Sequence, residues 1–196
     1  MATPLCTLAE QHRVDKCPQL NHSYTPEYDK ILSPIRDTAR LVVEIGIGTP
    51  EIMCPLVGEA YRPGASLRMW RDYFPAAQIL GCDIRRDVMF QEDRIQCRLV
   101  DQSDRESLKA LSFPTAPDLL LDDGSHVPVH MRLTFEVLWP SLKTGGFYII
   151  EDVRLHDIPE FISLQLLFKD CQFICAHKGK GPWDSFVCFQ KVPNAR

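Results

Sequence analysis

The sequence predicts an α/β protein built on a doubly wound, mostly parallel sheet of seven strands, with helices on both faces. From residue 41 onwards, short apolar runs alternate with segments of helical periodicity, which is the pattern of strands joined by helical crossovers. Leu41, Val42 and Val43 are apolar without alternation, as a strand buried on both faces requires. The last two apolar runs have no helix between them, which predicts a closing antiparallel hairpin.

The predicted elements follow the chain in a regular order. Apolar residues at helical spacing between residues 24 and 36 predict a helix, whereas residues 1–21 are expected to be irregular. Residues 48–64 are rich in proline and glycine, and we expect a loop there. Strands are predicted at residues 41–47, 78–84, 94–100, 118–121, 147–150, 172–176 and 185–190, and further helices at residues 65–74, 104–111, 129–142 and 159–168.

Bulk properties limit the function classes. The chain has 196 residues, enough for one globular domain: residues 41–196, with residues 1–40 packing over its ligand site. The net charge of −4 argues against a nucleic-acid groove, and strand-sized apolar runs argue against a membrane span. No secretory signal is visible, and the eight cysteines lack disulfide or zinc spacing, so we expect a reduced, cytoplasmic protein.

Two predicted strands end in acidic residues. Asp122 and Asp123 close one apolar run, His126 follows three residues later, and Glu151 and Asp152 close the next strand. The carboxyl ends of such strands meet at one edge of the sheet, where ligands bind. Carboxylates there favour Mg²⁺ or Mn²⁺, and the imidazole could serve as a general base. A one-residue slip of the strand would decide whether Asp122 or Asp123 faces the metal.

Structural roles stay open for the same residues. His126 precedes Val127 and Pro128 and could simply cap a helix. The acidic pair after the later strand could be a solvated strand end. Trp183, close to the hairpin turn, is the aromatic residue that we expect near a substrate.

The end of the first strand carries a glycine turn. Gly46 and Gly48 flank Ile47, just after Glu44, and glycines there let the backbone turn sharply and approach a ligand closely. A dinucleotide fingerprint would place a third glycine where this chain has Glu51, so NAD binding is disfavoured. An ordinary strand-to-loop turn is the alternative.

The next two strand ends suggest an adenosyl ligand. Asp83 precedes Ile84 at the end of the second strand, where a carboxylate can accept both ribose hydroxyls. Asp101, Gln102 and Ser103 end the third strand and could meet an adenine edge. The alternatives are an exposed aspartate and a helix N-cap. Three such ends in succession are typical of class I S-adenosylmethionine-dependent methyltransferases.

A closer resemblance follows from sequence blocks between about residues 20 and 155. The chain resembles the metal-dependent macrocin- and mycinamicin-type sugar O-methyltransferases in blocks at residues 22–24, 43–48, 64–70, 73–75, 81–84, 122–126 and 150–152. The resemblance implies binding of S-adenosylmethionine and Mg²⁺. It implies that Asp123, Glu151 and Asp152 are the metal ligands and His126 the base, with Asp123 also in the catalytic set. It places Ser66, Arg68 and Tyr24 near the methionine end of the cofactor, and Ile47, Ile84 and Asp122 in the cofactor site.

The sequence therefore predicts a Mg²⁺-dependent O-methyltransferase that acts on a hydroxyl of a small molecule. A vicinal diol can chelate a metal, which favours a sugar, polyol, phenol or catechol, as in a natural-product intermediate. A non-catalytic adenosyl-binding subunit and a metal-dependent hydrolase are the competing readings. A homodimer is one assembly that the sequence allows.

Overall fold

A computed structural model describes residues 2–179 and 181–194. The strands are β1 Leu41–Ile45, β2 Gln78–Asp83, β3 Gln91–Glu92, β4 Ile95–Leu99, β5 Leu119–Asp122, β6 Phe147–Glu151, β7 Cys171–Lys178 and β8 Ser185–Lys191. They form one sheet in the order β3-β4-β2-β1-β5-β6-β8-β7. The five strands β4, β2, β1, β5 and β6 are parallel, and β8 and β7 close the sheet as an antiparallel hairpin.

The predicted doubly wound fold is confirmed, with one more strand than the seven expected. The extra strand, β3, has two residues and pairs antiparallel with β4 at the edge. Its brevity explains why no periodicity marks it. The register at the centre of the sheet pairs Ile45 with Cys82 on one side and with Asp122 on the other, so the strand ends that carry the predicted site residues lie side by side.

Helices cover both faces of the sheet. They are α1 Pro4–His12, α2 Thr25–Leu32, α3 Pro50–Val57, α4 Ala65–Tyr73, α5 Arg105–Lys109, α6 Pro128–Leu138 and α7 Ile158–Ser163, with 3₁₀ turns at Ser33–Ile35, Arg86–Val88, Trp139–Ser141 and Leu164–Leu166. Neighbouring residues of β1 face opposite sides. Val42 joins the core cluster that includes residues of α1, α2 and α4, and Val43 joins the cluster that includes residues of α5, α6 and α7.

The prediction of an irregular N-terminus is wrong for residues 4–12, which form the helix α1. The backbone N–H of Cys6 donates to Thr3 Oγ1 over 3.3 Å, and Pro4 occupies the first turn of α1. A threonine N-cap followed by proline is a helix start signal. The helix buries Leu5 and Ala9 and packs against α4, so tertiary contacts stabilise a helix of only nine residues.

The loop predicted at residues 48–64 also contains a helix, α3. Pro50 lies in its first turn, where a missing N–H costs nothing, but Pro55 lies inside it. That proline removes one backbone donor, and the helix ends soon afterwards at Gly58, whose φ is 95°. The boundary predicted at residue 40 stays a prediction. Across the described residues, no helix combines the length and apolar character needed to cross a bilayer.

Candidate active site

A cavity of about 420 Å³ opens at the carboxyl edge of the parallel strands. It lies where the chain leaves β1, β2, β4, β5 and β6. Twelve of the predicted site residues line it: Gly46, Ile47, Gly48, Ser66, Asp83, Ile84, Asp101, Gln102, Ser103, Asp123, His126 and Asp152. The other five lie behind the lining and contact other protein groups: Tyr24, Glu44, Arg68, Asp122 and Glu151.

The glycine turn after β1 is required by close packing as well as by backbone conformation. Gly46 has a φ of 100° and Gly48 a φ of 79°, values that side chains with a Cβ rarely adopt. A Cβ on Gly46 would overlap the backbone carbonyl oxygen of Asp123, and one on Gly48 would overlap the hydroxyl of Tyr61. The turn therefore brings the ends of β1 and β5 into direct contact.

Asp83 links two loops at the cavity wall. Its Oδ2 accepts a hydrogen bond from the backbone N–H of Ile47 over 2.8 Å, and its Oδ1 accepts one from the backbone N–H of Arg85 over 2.8 Å. Each carboxylate oxygen can accept a further hydrogen bond. The geometry is thus compatible with the predicted ribose contact.

Gln102 connects the loop after β4 to the loop after β5. Its Nε2 donates to Asp122 Oδ1 over 2.6 Å, and its Oε1 accepts from the backbone N–H of Ser125 over 2.9 Å. Asp122 is fully buried, and burial raises its pKa to about 7. Asp123, the next residue, lines the cavity instead. Of the two candidates that the sequence left open, Asp123 is the one that the structure turns toward the metal position.

Three predicted cofactor residues have other partners. Glu44 is buried and accepts from Trp70 Nε1 over 3.1 Å, and burial raises its pKa to about 8 in spite of the nearby Lys16. Arg68 pairs with Glu92 at 2.7 Å and lies 4.6 Å from the ring centroid of Phe90. Neither side chain lines the cavity, and the cofactor contacts predicted for them stay predictions.

Tyr24, the third, supports the metal position from behind. Its hydroxyl donates to Asp152 Oδ1 over 2.6 Å. Burial and the charge of Asp152 raise the pKa of Tyr24 above its ordinary value, so it stays a hydrogen-bond donor. This hydroxyl therefore lies beside Asp152, and the cofactor contact that the resemblance implies for Tyr24 stays a prediction.

Three potential ligands converge at the ends of β5 and β6. Among the described residues, Asp123, His126 and Asp152 form a group whose ligand atoms all lie within 4.8 Å of one another. His126 and Asp152 both have positive φ, at 53° and 52°. Non-glycine residues with such angles are strained and concentrate at functional sites, where surrounding contacts hold them. Two carboxylates and an imidazole suit a divalent cation, so the donor set fits a metal.

Lys16 is a buried charged residue of the site that no sequence pattern indicates. It is 1% exposed, and its Nζ lies 2.5 Å from Asp123 Oδ2, 2.6 Å from Glu151 Oε2 and 3.8 Å from Glu44 Oε1. Burial alone would lower the pKa of Lys16, but the carboxylates raise it well above its ordinary value. Nothing in the local sequence reveals the contacts with Asp123 and Glu151, because each joins residues more than one hundred positions apart.

The pKa values of Asp123 and Asp152 shift in opposite directions. Burial raises the pKa of Asp123, but the positive charge of Lys16 and the nearby His126 lower it by more than burial raises it. The pKa of Asp123 is therefore below its ordinary value. Burial and the charge of Asp123 raise the pKa of Asp152. Asp123 is therefore held as an anion by the lysine even without a bound cation, whereas Asp152 is the carboxylate that gains from one.

The fold and the glycine turn define the class of protein. A mostly parallel sheet closed by an antiparallel hairpin, with ligand-facing residues at successive strand ends, is the class I methyltransferase architecture. The solved structure of CmcI with Mg and S-adenosylmethionine has it too: the TM-score is 0.62 at 20% identity, over 86% of this chain and 71% of that one. At this identity the likeness shows the fold alone.

Relatives bring the chain closer to one group of these proteins. No family model matches it. It is 39% identical over 158 residues to the 8-demethyl-8-alpha-L-rhamnosyl tetracenomycin-C 2'-O-methyltransferase of Streptomyces olivaceus, which covers 80% of this chain and 39% of the relative. It is 39% identical over 133 residues to the mycinamicin VI 2''-O-methyltransferase of Micromonospora griseorubida, covering 67% of this chain and 32% of the relative.

A solved structure supports the same relationship. MycE methyltransferase, in complex with Mg, S-adenosylhomocysteine and mycinamycin VI, matches 98% of this chain and 55% of its own, with a TM-score of 0.76 and 26% identity. The chain spans about two fifths of the length of the first of the curated relatives. It is a class I methyltransferase-fold protein that resembles the sugar O-methyltransferases of macrolide and tetracenomycin pathways, which confirms the resemblance inferred from its motifs.

Proposed function

We propose that the chain is an S-adenosylmethionine- and Mg²⁺-dependent O-methyltransferase that acts on a sugar hydroxyl of a small natural product. The observation that carries the proposal is the Asp123–His126–Asp152 group at the rim of the cavity behind the Gly46 turn. A group of side chains that could hold a metal ion and a cavity of about 420 Å³ share one wall there. A protein that only bound the cofactor would have no use for the first of these.

The two bound groups supply different chemistry. S-adenosylmethionine supplies an electrophilic methyl group, and Mg²⁺ supplies a Lewis acid that favours alkoxide character. Gly46, Gly48 and Asp83 would hold the first through backbone approach and the ribose contact. Asp123 and Asp152 would hold the second. These assignments use the residues that line the cavity.

His126 is the residue that we propose as general base. It is about one third exposed at the cavity rim, and its Nε2 lies 3.9 Å from Asp152 Oδ2. Its Nδ1 is buried and has no hydrogen-bond partner among the described residues. An imidazole can take up a proton near neutral pH, so His126 could remove the proton of a sugar hydroxyl placed between it and the methyl donor.

A second cavity, of about 430 Å³, would provide room for the acceptor. His22 lines both cavities, and Asn21, Trp183 and Asp184 line the second. The guanidinium of Arg154 lies over the indole of Trp183, 4.4 Å from the ring centroid. An aromatic ring beside amide and carboxylate groups suits a sugar, which has both apolar and hydroxyl surfaces.

The relatives suggest the acceptors to test. The purified chain is incubated with S-adenosylmethionine, Mg²⁺ and either a rhamnosylated tetracenomycin or an olivosylated macrolide, because two of the relatives carry those substrates in their names. We expect S-adenosylhomocysteine and a product heavier by one methylene, and both should disappear with excess chelator. Binding of S-adenosylmethionine with no turnover on any hydroxylated acceptor would favour the predicted alternative, a non-catalytic adenosyl-binding subunit.

The assembly and the cellular location are proposals as well. We propose that the chain acts in the cytoplasm and assembles as a homodimer. Light scattering on the purified chain tests the dimer, and fractionation of producing cells tests the location.

A further inference from the structure

Two cysteines lie opposite each other in the hairpin that closes the sheet. The register of β7 and β8 pairs Cys175 with Cys188, and both thiols are free. Directly opposite side chains share one face of an antiparallel pair, and both of these contact the core cluster that includes residues of α1, α2 and α4. The Cα atoms of such a pair lie about 4.5–5.5 Å apart, within the range of about 4.4–6.8 Å that a disulfide requires. The hairpin therefore holds two thiols at a separation that one covalent bond can span.

The two thiols differ in exposure and in acidity. Cys188 is fully buried, whereas Cys175 is partly exposed. A hydrogen bond with Cys188 lowers the pKa of Cys175, although burial opposes this shift, and burial raises the pKa of Cys188. Since the thiolate is the form that attacks a disulfide, Cys175 is the first nucleophile of the pair and Cys188 lies behind it.

The position of Cys175 at the edge of the sheet gives access to it. β7 is the last strand in the order of the sheet, and its register shifts between Phe173 and Cys175. Such a bulge bends the strand and interrupts its pairing locally, and Ile174 within it is 37% exposed. The backbone beside Cys175 can therefore adjust to a new bond, and a small oxidant can approach from the open side of the strand.

We propose that Cys175 and Cys188 form a reversible disulfide site that a low-molecular-weight disulfide, such as glutathione disulfide, oxidises. The Cys175 thiolate attacks one sulfur of glutathione disulfide, a mixed disulfide forms, and one glutathione thiolate leaves. Cys188 then loses its proton and attacks the Sγ atom of Cys175, and the second glutathione thiolate leaves. Two cysteine thiols are oxidised, and one glutathione disulfide is reduced to two glutathione molecules.

The bond would close the hairpin around a wall of the second cavity. The turn between the two cysteines contains Trp183 and Asp184, which line that cavity. The hydroxyl of Tyr24 donates to the carbonyl oxygen of Trp183 over 2.9 Å, so the turn also contacts the N-terminal segment. In a reducing compartment such a disulfide is transient, and the reduced chain expected from the sequence is its resting state.

The test is peptide mapping of the folded, reduced chain after incubation with millimolar glutathione disulfide and blocking of the remaining thiols. Trypsin cleaves after Lys178, between the two cysteines, so a disulfide joins the peptide 170–178 to the peptide 181–191. The first peptide also contains Cys171, which lies opposite Lys191 in the register. Cys171→Ser is therefore the matched control, and the linked peptides should form equally in it and disappear with dithiothreitol.

Two further variants test the order of the steps. Cys188→Ala should stop at the mixed disulfide, with the mass of one glutathione added at Cys175. Cys175→Ala should acquire neither the link nor the adduct, because Cys188 is fully buried. Circular dichroism of the reduced variants shows whether they fold. If either does not, the map of Cys171→Ser decides alone.

The outcomes that would overturn the inference do not involve methyl transfer. Absence of the linked peptides in folded Cys171→Ser, or their formation only in urea, would show that the hairpin does not hold the two thiols for reaction. An equal yield of disulfides at Cys54 and Cys97, which are also partly exposed, would show that the pairing gives no preference. Each of these results would leave the proposed function as it stands.

Discussion

The two halves of the cavity wall are built in different ways. The cofactor half, at the ends of β1, β2 and β4, consists of a glycine turn and of side chains bonded to nearby backbone groups, such as Asp83 to Ile47 and Arg85. The metal half, at the ends of β5 and β6, depends on the N-terminal segment, which delivers Lys16 and Tyr24 to carboxylates more than one hundred residues away. The first half depends on backbone geometry and hydrogen bonds to backbone N–H groups, and the second depends on charge pairing over more than one hundred residues.

The largest expected effect separates chemistry from binding. His126→Ala should lower kcat by about 10²–10⁴-fold, the usual contribution of a positioned base, and leave the affinity for S-adenosylmethionine unchanged, because the cofactor half is untouched. Initial rates and calorimetric titrations measure the two quantities. His156→Ala is the control, since that imidazole is 74% exposed. Near-normal turnover in His126→Ala would leave this histidine with a structural role.

The second effect tests the contact between the halves. Gly46→Ala should lower the free energy of unfolding by about 4 kcal/mol, since the added Cβ meets the Asp123 backbone at a position that no side-chain movement can relieve. Gly58→Ala is the matched control: its φ is 95°, but no heavy atom lies within 4 Å of the added Cβ. We expect a loss of about 1–2 kcal/mol there, from backbone strain alone.

Urea unfolding of both variants measures that difference. Equal losses would mean that the contact between the turn and Asp123 contributes nothing to stability, and that the glycine is needed only for its φ.

The third effect belongs to the cofactor half alone. Asp83→Ala should weaken S-adenosylmethionine binding by about 2–3 kcal/mol, the scale for losing hydrogen bonds to a charged group, and should leave Mn²⁺ affinity unaltered. Isothermal titration with each ligand checks both statements. A parallel loss of Mn²⁺ affinity would show that the two halves are coupled rather than separate.

The smallest effect compares two tyrosines within the metal half. Tyr24→Phe removes the donor to Asp152, and we expect Mn²⁺ affinity to fall by about ten-fold, as for other groups that orient a ligand. Tyr28→Phe removes the donor to Glu151, but Lys16 still holds that carboxylate, so we expect a smaller loss there. Equal losses in both variants would show that Glu151 depends on its tyrosine as much as Asp152 does.

The same division explains what the sequence could predict. The glycines after β1, Asp83 after β2 and the polar residues after β4 lie directly after apolar runs, so strand periodicity locates them. The edge to which Asp123, His126 and Asp152 belong was predictable for the same reason. Their partners were not. Lys16 precedes a polar stretch that resembles a solvated surface, and only the packing of α1 and α2 on the sheet brings it to Glu151.

Arg68 and Glu44 show what a sequence motif leaves open. Both lie within sequence blocks that resemble the sugar O-methyltransferases, but Arg68 pairs with Glu92 and Glu44 is buried beneath Trp70. A motif identifies the position of a residue in the fold without fixing the direction of its side chain. The helix α4 was predicted to within one residue of its observed end. Its two predicted site residues nevertheless differ, because Ser66 lines the cavity and Arg68 lies behind its wall.

Anomalous diffraction from crystals of the chain soaked in Mn²⁺ tests the metal position most directly. We expect one anomalous peak at the cavity rim, in contact with carboxylate oxygens of Asp123 and Asp152. A soaked crystal with no anomalous peak at the ends of β5 and β6 would contradict the metal half of the account.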